Sequence, residues 1–334
     1  DGSGCVLREI DVDMARQAKQ ADSEPIINPM TAATSRLVVH GTEVALLHGI
    51  NTDYDAKVDA RHQKALTTHL DLSTGLVTRT STMWMSHSFD QRLFFDGQGF
   101  VELHIGDAYD RAIALGRFTP TQDDGPVALF RPKGALGENS TCTRLGAIEP
   151  IASGDYGYLV AFTTDRSPTY PSGSWATVDD HFELGLLRVK RSFASGNEPF
   201  VDSTSSNVSQ QVVTSSGESV TNYVQWLTDY SSGAHAVASR MVGLGGDQYL
   251  VLWERWTGTS GDDQAYAGTW ATVVDAAGNT VQAAKQIGSE PLSLGDDAVL
   301  FDGKALFVTG DSGSRQLVLN FVSSTLETST VPLP

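Results

Sequence analysis

The sequence predicts an all-β chain built of repeated four-stranded antiparallel meanders. Three observations carry that prediction. A segment of the form apolar run, glycine turn, apolar run recurs five times, and a second hairpin-like segment follows most copies. The composition agrees: Gly, Ser, Thr, Val and Asp are frequent, 32 residues are glycine and only 19% are charged, a balance that suits strands and turns better than helices.

The five copies are RLVVHGTEVALLH (36–48), RLFFDGQGFVELH (92–104), AIEPIASGDYGYLVAF (147–162), RMVGLGGDQYLVLWE (240–254) and AVLFDGKALFV (298–308). Each reads as two strands joined by a tight turn needing positive φ, supplied by Gly41, Gly97, Gly154, Gly246 and Gly303. These glycines are spaced 56, 57, 92 and 57 residues apart. The second hairpins are ALTTHLDLSTGLV (65–77), AIALGRFTPTQDDGPVALF (112–130), TWATVVDAAGNTV (269–281) and LVLNFVSSTLE (317–327). FELGLLRVKRSF (182–193) takes the same part in the third unit.

Repeats of about 40–60 residues with four strands each resemble the β-propeller architecture. One four-stranded sheet cannot bury both its faces, and stacking sheets around an axis lets each neighbour supply the missing half of a core. The resemblance is to the architecture and to no particular family. Because the interval of 92 is long for one blade, the expectation is six blades, with five or seven as the neighbouring counts and a β-sandwich as the rival fold. Within that interval the Ser/Thr-rich stretch 203–221 reads as a surface insertion, and SVTNYVQWLTDY (219–230) as the outer strand of a blade.

Residues 1–35 differ from the rest. They hold a short strand-like CVLREIDVD and the helical stretch MARQAKQAD, and are expected to pack on or clasp a propeller domain of 36–334. Two cysteines, Cys5 and Cys142, allow one disulfide or two free thiols. Low, even cysteine usage and a start that looks trimmed point to a secreted, periplasmic or cell-surface protein. No stretch reaches the ~18 apolar residues of a membrane span. Asn139 and Asn207 stand in glycosylation sequons.

A formal net charge of −17 without a Lys/Arg cluster argues against nucleic acid as a partner. Candidate binding residues come instead from geometry. With strands a to d running outward from the axis, the b–c loops and the d–a connections share one face, where loops from several blades converge. Aligning the copies puts His87 and His235 five residues before Arg92 and Arg240, and His48 and His104 twelve residues after Arg36 and Arg92. The b–c loops add Asp53, Tyr54, Asp107, Tyr109 and Arg111, and the d–a segment before Arg92 adds Asp90. ERWTG (254–258) contributes Arg255 and Trp256.

The first functional reading is a binding protein for a glycan, a protein or a small molecule, because Tyr and Trp offer flat apolar contact and Asp and Arg directional hydrogen bonds. The alternative is a hydrolase or lyase, with His87 or His104 as base, Asp107 orienting it and Arg92 or Arg111 stabilising an anion. A third is a transition metal held by converging histidines. Calcium is weighed for the Asp pairs at 123–124, 179–180, 262–263 and 296–297, which lack EF-hand ligand spacing and read better as turns. Against all three stands a structural role, in which polar residues at blade junctions tie neighbouring backbone groups together.

Overall fold

The computed structural model describes residues 35–55, 60–81, 85–86, 90–105, 112–119, 121–131, 133–134, 144–152, 154–164, 169–170, 182–193, 198–204, 207–213, 218–230, 233–258, 264–293, 296–311 and 313–333. Among them all regular structure is β. The first sheet is β1 (Arg36–His40), β2 (Glu43–Asp55), β3 (Ala60–Asp71) and β4 (Leu76–Thr80), with the short β5 (Met85–Ser86) paired to β3. The second is β6 (Gln91–Phe95), β7 (Phe100–Ile105), β8 (Ile113–Phe118) and β9 (Asp123–Phe130).

Then come β10 (Lys133–Gly134), β11 (Arg144–Pro150), β12 (Tyr156–Thr164), β13 (Thr169–Tyr170), β14 (Glu183–Lys190), β15 (Val208–Val213) and β16 (Ser219–Trp226). The third sheet has the order β11-β12-β14-β16-β15, while β10 and β13 form a small parallel ladder. The fourth sheet is β17 (Ala234–Gly245), β18 (Gln248–Thr257), β19 (Ala265–Asp275) and β20 (Thr280–Gly288). The fifth is β21 (Val299–Phe301), β22 (Lys304–Asp311), β23 (Gln316–Val322) and β24 (Thr328–Pro332).

These five antiparallel meanders are the blades of a β-propeller. All five turn glycines have positive φ, between 59° and 90°, as the hairpin reading requires. The blade count is five, which corrects the expected six. The 92-residue interval holds one sheet: its extra length lies in the β12–β14 connection and in β15, an added edge strand. Ser219–Trp226, expected as an outer strand, is instead flanked by β15, so part of the stretch 203–221 expected as a surface insertion is the sheet's edge strand. Asn207 pins the two together by accepting from the Trp226 amide and donating to its carbonyl. The segment 1–34, Cys5, Cys142 and Asn139 lie outside the described residues.

The chain divides into two compact units, Asp1–Glu102 with Gly116–Pro126, and Leu103–Leu115 with Val127–Pro334. In the first, His69 of β3 meets the rings of Phe100 and Phe118 edge-on at 5.1 and 4.6 Å, and His40 stacks on Phe95 at 3.7 Å. Arg79 of β4 binds Asp123 at 2.7 Å and the carbonyls of Thr119 and Gln122.

In the second unit the cores lie between successive sheets. Tyr249, Val251 and Trp253 of β18 pack on Leu159, Ala161 and Leu186 of the third sheet. The alternate residues Leu250 and Leu252 pack on Ala305, Phe307 and Val322 of the fifth. Period-two alternation thus sends successive β18 side chains into two different cores, and β18 is apolar on both faces for that reason. The far face of the fifth sheet is apolar too. Val299, Leu306 and Phe321 are cross-strand neighbours there, and Val299 and Phe301 are 52% and 58% exposed.

Candidate functional site

The arginines that head the aligned copies share one local geometry. Nη1 of Arg36, Arg92 and Arg240 each donates to the carbonyl of the preceding residue, at 3.1, 2.7 and 2.8 Å. Arg92 also binds Asp90 at 2.6 Å. Arg240, 4% exposed, reaches the segment after β20, donating from Nε to the Asp296 carbonyl and from Nη2 to that of Ser293, both at 2.8 Å. The positional match found in the sequence is therefore a repeated backbone tie.

The described histidines of the aligned set are interior. His48 is 2% exposed and its Nε2 lies 3.0 Å from the Thr68 hydroxyl. His235 holds Gly258 through Nε2 at 2.7 Å, while its Nδ1 accepts from the Phe182 amide at 3.3 Å. A carbonyl only accepts, so the proton sits on Nε2 and the ring is a neutral strut. His104 is fully buried, and burial lowers its pKa to about 3, too low for a general base at neutral pH. His87, Asp107, Tyr109 and Arg111 lie outside the described residues, as do the side chains of Asp53 and Tyr54 at the end of β2. Among the described residues, no three His, Cys, Asp or Glu side chains are grouped to hold a metal ion.

Two interior carboxyls carry the opposite shift. Burial raises Glu149 and Glu102 to about 7 each, the second despite a 2.6 Å bond from the Thr67 hydroxyl. An acid whose pKa is raised by folding stabilises the fold fully below its unfolded value, and that contribution is lost as pH climbs through the folded value. Glu102→Gln removes this loss at one site. Relative to the parent, the variant should gain about 3 kcal/mol between pH 4.5 and 8. Urea unfolding at the two pH values measures it, and an unchanged difference would contradict the assignment.

What the structure does assemble is an aromatic and charged cluster at the b–c end of the fourth sheet. Two bulges shape it. On β17 the register slips between Val237 and Arg240, with Ala238 at φ 52°, unusual for a residue with a side chain. On β19 it slips opposite Glu254–Trp256, with Gly268 at φ 115°. A Cβ at Gly268 would meet only the end of the exposed Gln286 side chain, which can turn away, so it is the torsion that favours glycine there. The second slip sets Tyr266 opposite Trp256, and the rings meet edge-to-face at 5.8 Å.

On that face, Glu254 (4% exposed) accepts from the Trp256 indole at 2.7 Å and from the Leu292 amide at 2.8 Å. The Tyr266 hydroxyl lies 2.8 Å from that of Thr269, and burial pushes the phenol up to about 12. On the opposite face, the Arg255 guanidinium sits 5.3 Å from the Tyr230 ring and 5.5 Å from that of Trp270. Trp253 donates to the Tyr230 hydroxyl at 2.9 Å. Beneath it, Glu183 (0% exposed) accepts from the Thr228 hydroxyl and, at 2.5 Å, from the Tyr230 amide.

Arg255 and Trp256 were legible in the sequence; Tyr230, Tyr266 and Trp270 were not singled out. The signal available was the aromatic spacing on both sides of the 257–264 loop, WERW before it and AYAGTW after it.

No protein-family model matches the chain, and no curated protein sequence matches it. Solved structures do. The α-L-arabinofuranosidase Arb93A from Fusarium graminearum, in complex with an iminosugar inhibitor, superposes with a TM-score of 0.52 at 10% identity, over 92% of this chain and 83% of that one. The GH93 α-L-arabinofuranosidase of Fusarium graminearum, in complex with arabinobiose, gives 0.51 at 11% identity, over 94% and 84%. At such identities the likeness is one of fold. No helix among the described residues is long and apolar enough to cross a membrane.

Proposed function

We propose that this propeller acts on a glycan, as a glycoside hydrolase for arabinose-containing chains, and takes the sugar over Trp256 and Tyr266 at the b–c end of the fourth sheet. The observation that carries the reading is that aromatic pair. An indole aligned by Glu254 and a phenol set edge-on to it by the Gly268 bulge form an aromatic corner, and an aromatic face is the flat apolar surface that a sugar ring stacks on. The names of the two arabinofuranosidases with a similar fold supply the substrate class.

Hydrolysis needs two carboxyl groups flanking the glycosidic bond. Glu254 and Glu183 are engaged by protein donors, so the reading assigns the chemistry to the polar b–c loops, with Asp107 in GDAYDR as the residue to test. An exported location belongs to the same reading. The engagement of Glu183 and Glu254 favours one second reading, glycan recognition without cleavage.

Release of arabinose from arabinan and from aryl arabinofuranosides tests the proposal, alongside affinity electrophoresis in arabinan gels. Turnover abolished by Asp107→Asn supports hydrolysis, and retardation without turnover supports recognition alone. Neither turnover nor retardation would overturn both. Trp256→Ala should weaken retardation about tenfold, the value of about 1.4 kcal/mol of stacking, and unchanged mobility would remove Trp256 from the site.

A further inference from the structure

The opposite face of the same sheet end carries a set of hydrogen-bond donors with too few acceptors. Arg255 Nε and the Trp270 indole Nε1 are both buried, and among the described residues neither has a hydrogen-bond partner. The Arg255 guanidinium makes no ion pair among the described residues and lies over two rings. The Tyr230 hydroxyl already accepts from Trp253, so its own proton remains to be donated. An orphaned buried donor is costly, and a chain with 40 acidic residues against 23 basic ones has carboxylates in excess to pair with a guanidinium. The described carboxylate beside the cluster, Glu183, is already taken up by the Thr228 hydroxyl and the Tyr230 amide.

The chemistry of the missing partner follows from that imbalance. A sugar hydroxyl both donates and accepts, so it would answer one donor and bring another. A carboxylate only accepts, offers about four lone-pair sites, and forms the stronger charge-assisted bonds with a guanidinium. We propose that Tyr230, Arg255 and Trp270 form a subsite for the carboxylate of a uronic acid residue, so that the glycan recognised is an acidic one. This inference rests on the glycan reading above and narrows it from arabinose-containing chains in general to those that also carry uronate.

Isothermal titration of the whole chain with two arabino-oligosaccharides of equal length, one carrying a glucuronate and one neutral, tests it. The parent should bind the acidic sugar at least tenfold tighter, with a preference that shrinks as salt is raised. Arg255→Gln should bring the acidic-to-neutral affinity ratio to about one, and Trp270→Phe, which keeps the ring and removes the indole N–H, should cut it severalfold. Free sodium glucuronate should compete where sodium acetate at equal concentration does not; equal competition by acetate would make the site a general small-anion site and overturn the uronate assignment. Equal affinity of the parent for both oligosaccharides, or a preference that survives Arg255→Gln in a folded variant, would overturn the subsite while leaving the glycan reading intact. Failure of both oligosaccharides to bind would overturn the two together.

Discussion

Arg240→Met should lower the free energy of unfolding by about 3–5 kcal/mol, at roughly 1–3 kcal/mol for each buried carbonyl left short of its charged donor. Methionine keeps most of the apolar stem, so the loss reads out the guanidinium rather than packing. Three carbonyls, of Ser239, Ser293 and Asp296, accept from Arg240, and the substitution leaves all three short of a donor beneath the segment that enters the fifth sheet. Chemical denaturation measures the loss, and the arabinan assay is run beside it on the folded variant. A loss below about 1 kcal/mol, coupled to lost glycan retardation, would return Arg240 to the ligand face on which its sequence alignment set it.

Glu183→Ala should cost about 3–4 kcal/mol by the same physics in reverse sign of charge. The carboxylate receives the Thr228 hydroxyl and the Tyr230 amide, and Thr228 in turn accepts from the Leu184 amide at 2.8 Å. Alanine orphans the donors at one end of that relay. Glu183→Gln keeps one acceptor but turns an N–H₂ toward a donor, so it should fall between alanine and the parent. Because Tyr230 is held from below by Glu183 and carries the bond from Trp253 above, the variant's tryptophan emission should change with its stability. Stability equal to the parent's would mean that water replaces the carboxylate.

Much of the fold was legible because its determinants are local. Glycine at φ near +60° to +90° in a hairpin is a property of four residues, and Gly41, Gly97, Gly154, Gly246 and Gly303 announce it. The blade count was less so: a 92-residue interval looks the same whether it holds two blades or one blade with a long connection and an edge strand, because β15 pairs with β16 across Ser/Thr-rich residues without strong alternation. The aligned arginines were found from the sequence, but the tie they share is to a backbone carbonyl, which no sequence displays. The Tyr230–Arg255–Trp270 cluster escaped for a different reason. It depends on the convergence of three segments and on bulges at Ala238 and Gly268 that reset the register of two strands, and a one-residue slip exchanges the faces of every side chain beyond it.

The two buried glutamates at the end of the third and fourth sheets have a consequence for how the chain breathes. Tyr230 and Leu292 lie in connections between blades, where backbone amides ordinarily trade their hydrogens with solvent quickly. Each instead gives its N–H to a carboxylate with almost no exposure, Glu183 and Glu254. Deuterium uptake at these two amides should therefore be as slow as in the central strands, because the loop opens only when the blade beside it does. The connections between these blades would then belong to the slow-exchanging heart of the molecule, and the exchange map would show blades fused through their loops rather than separated by them.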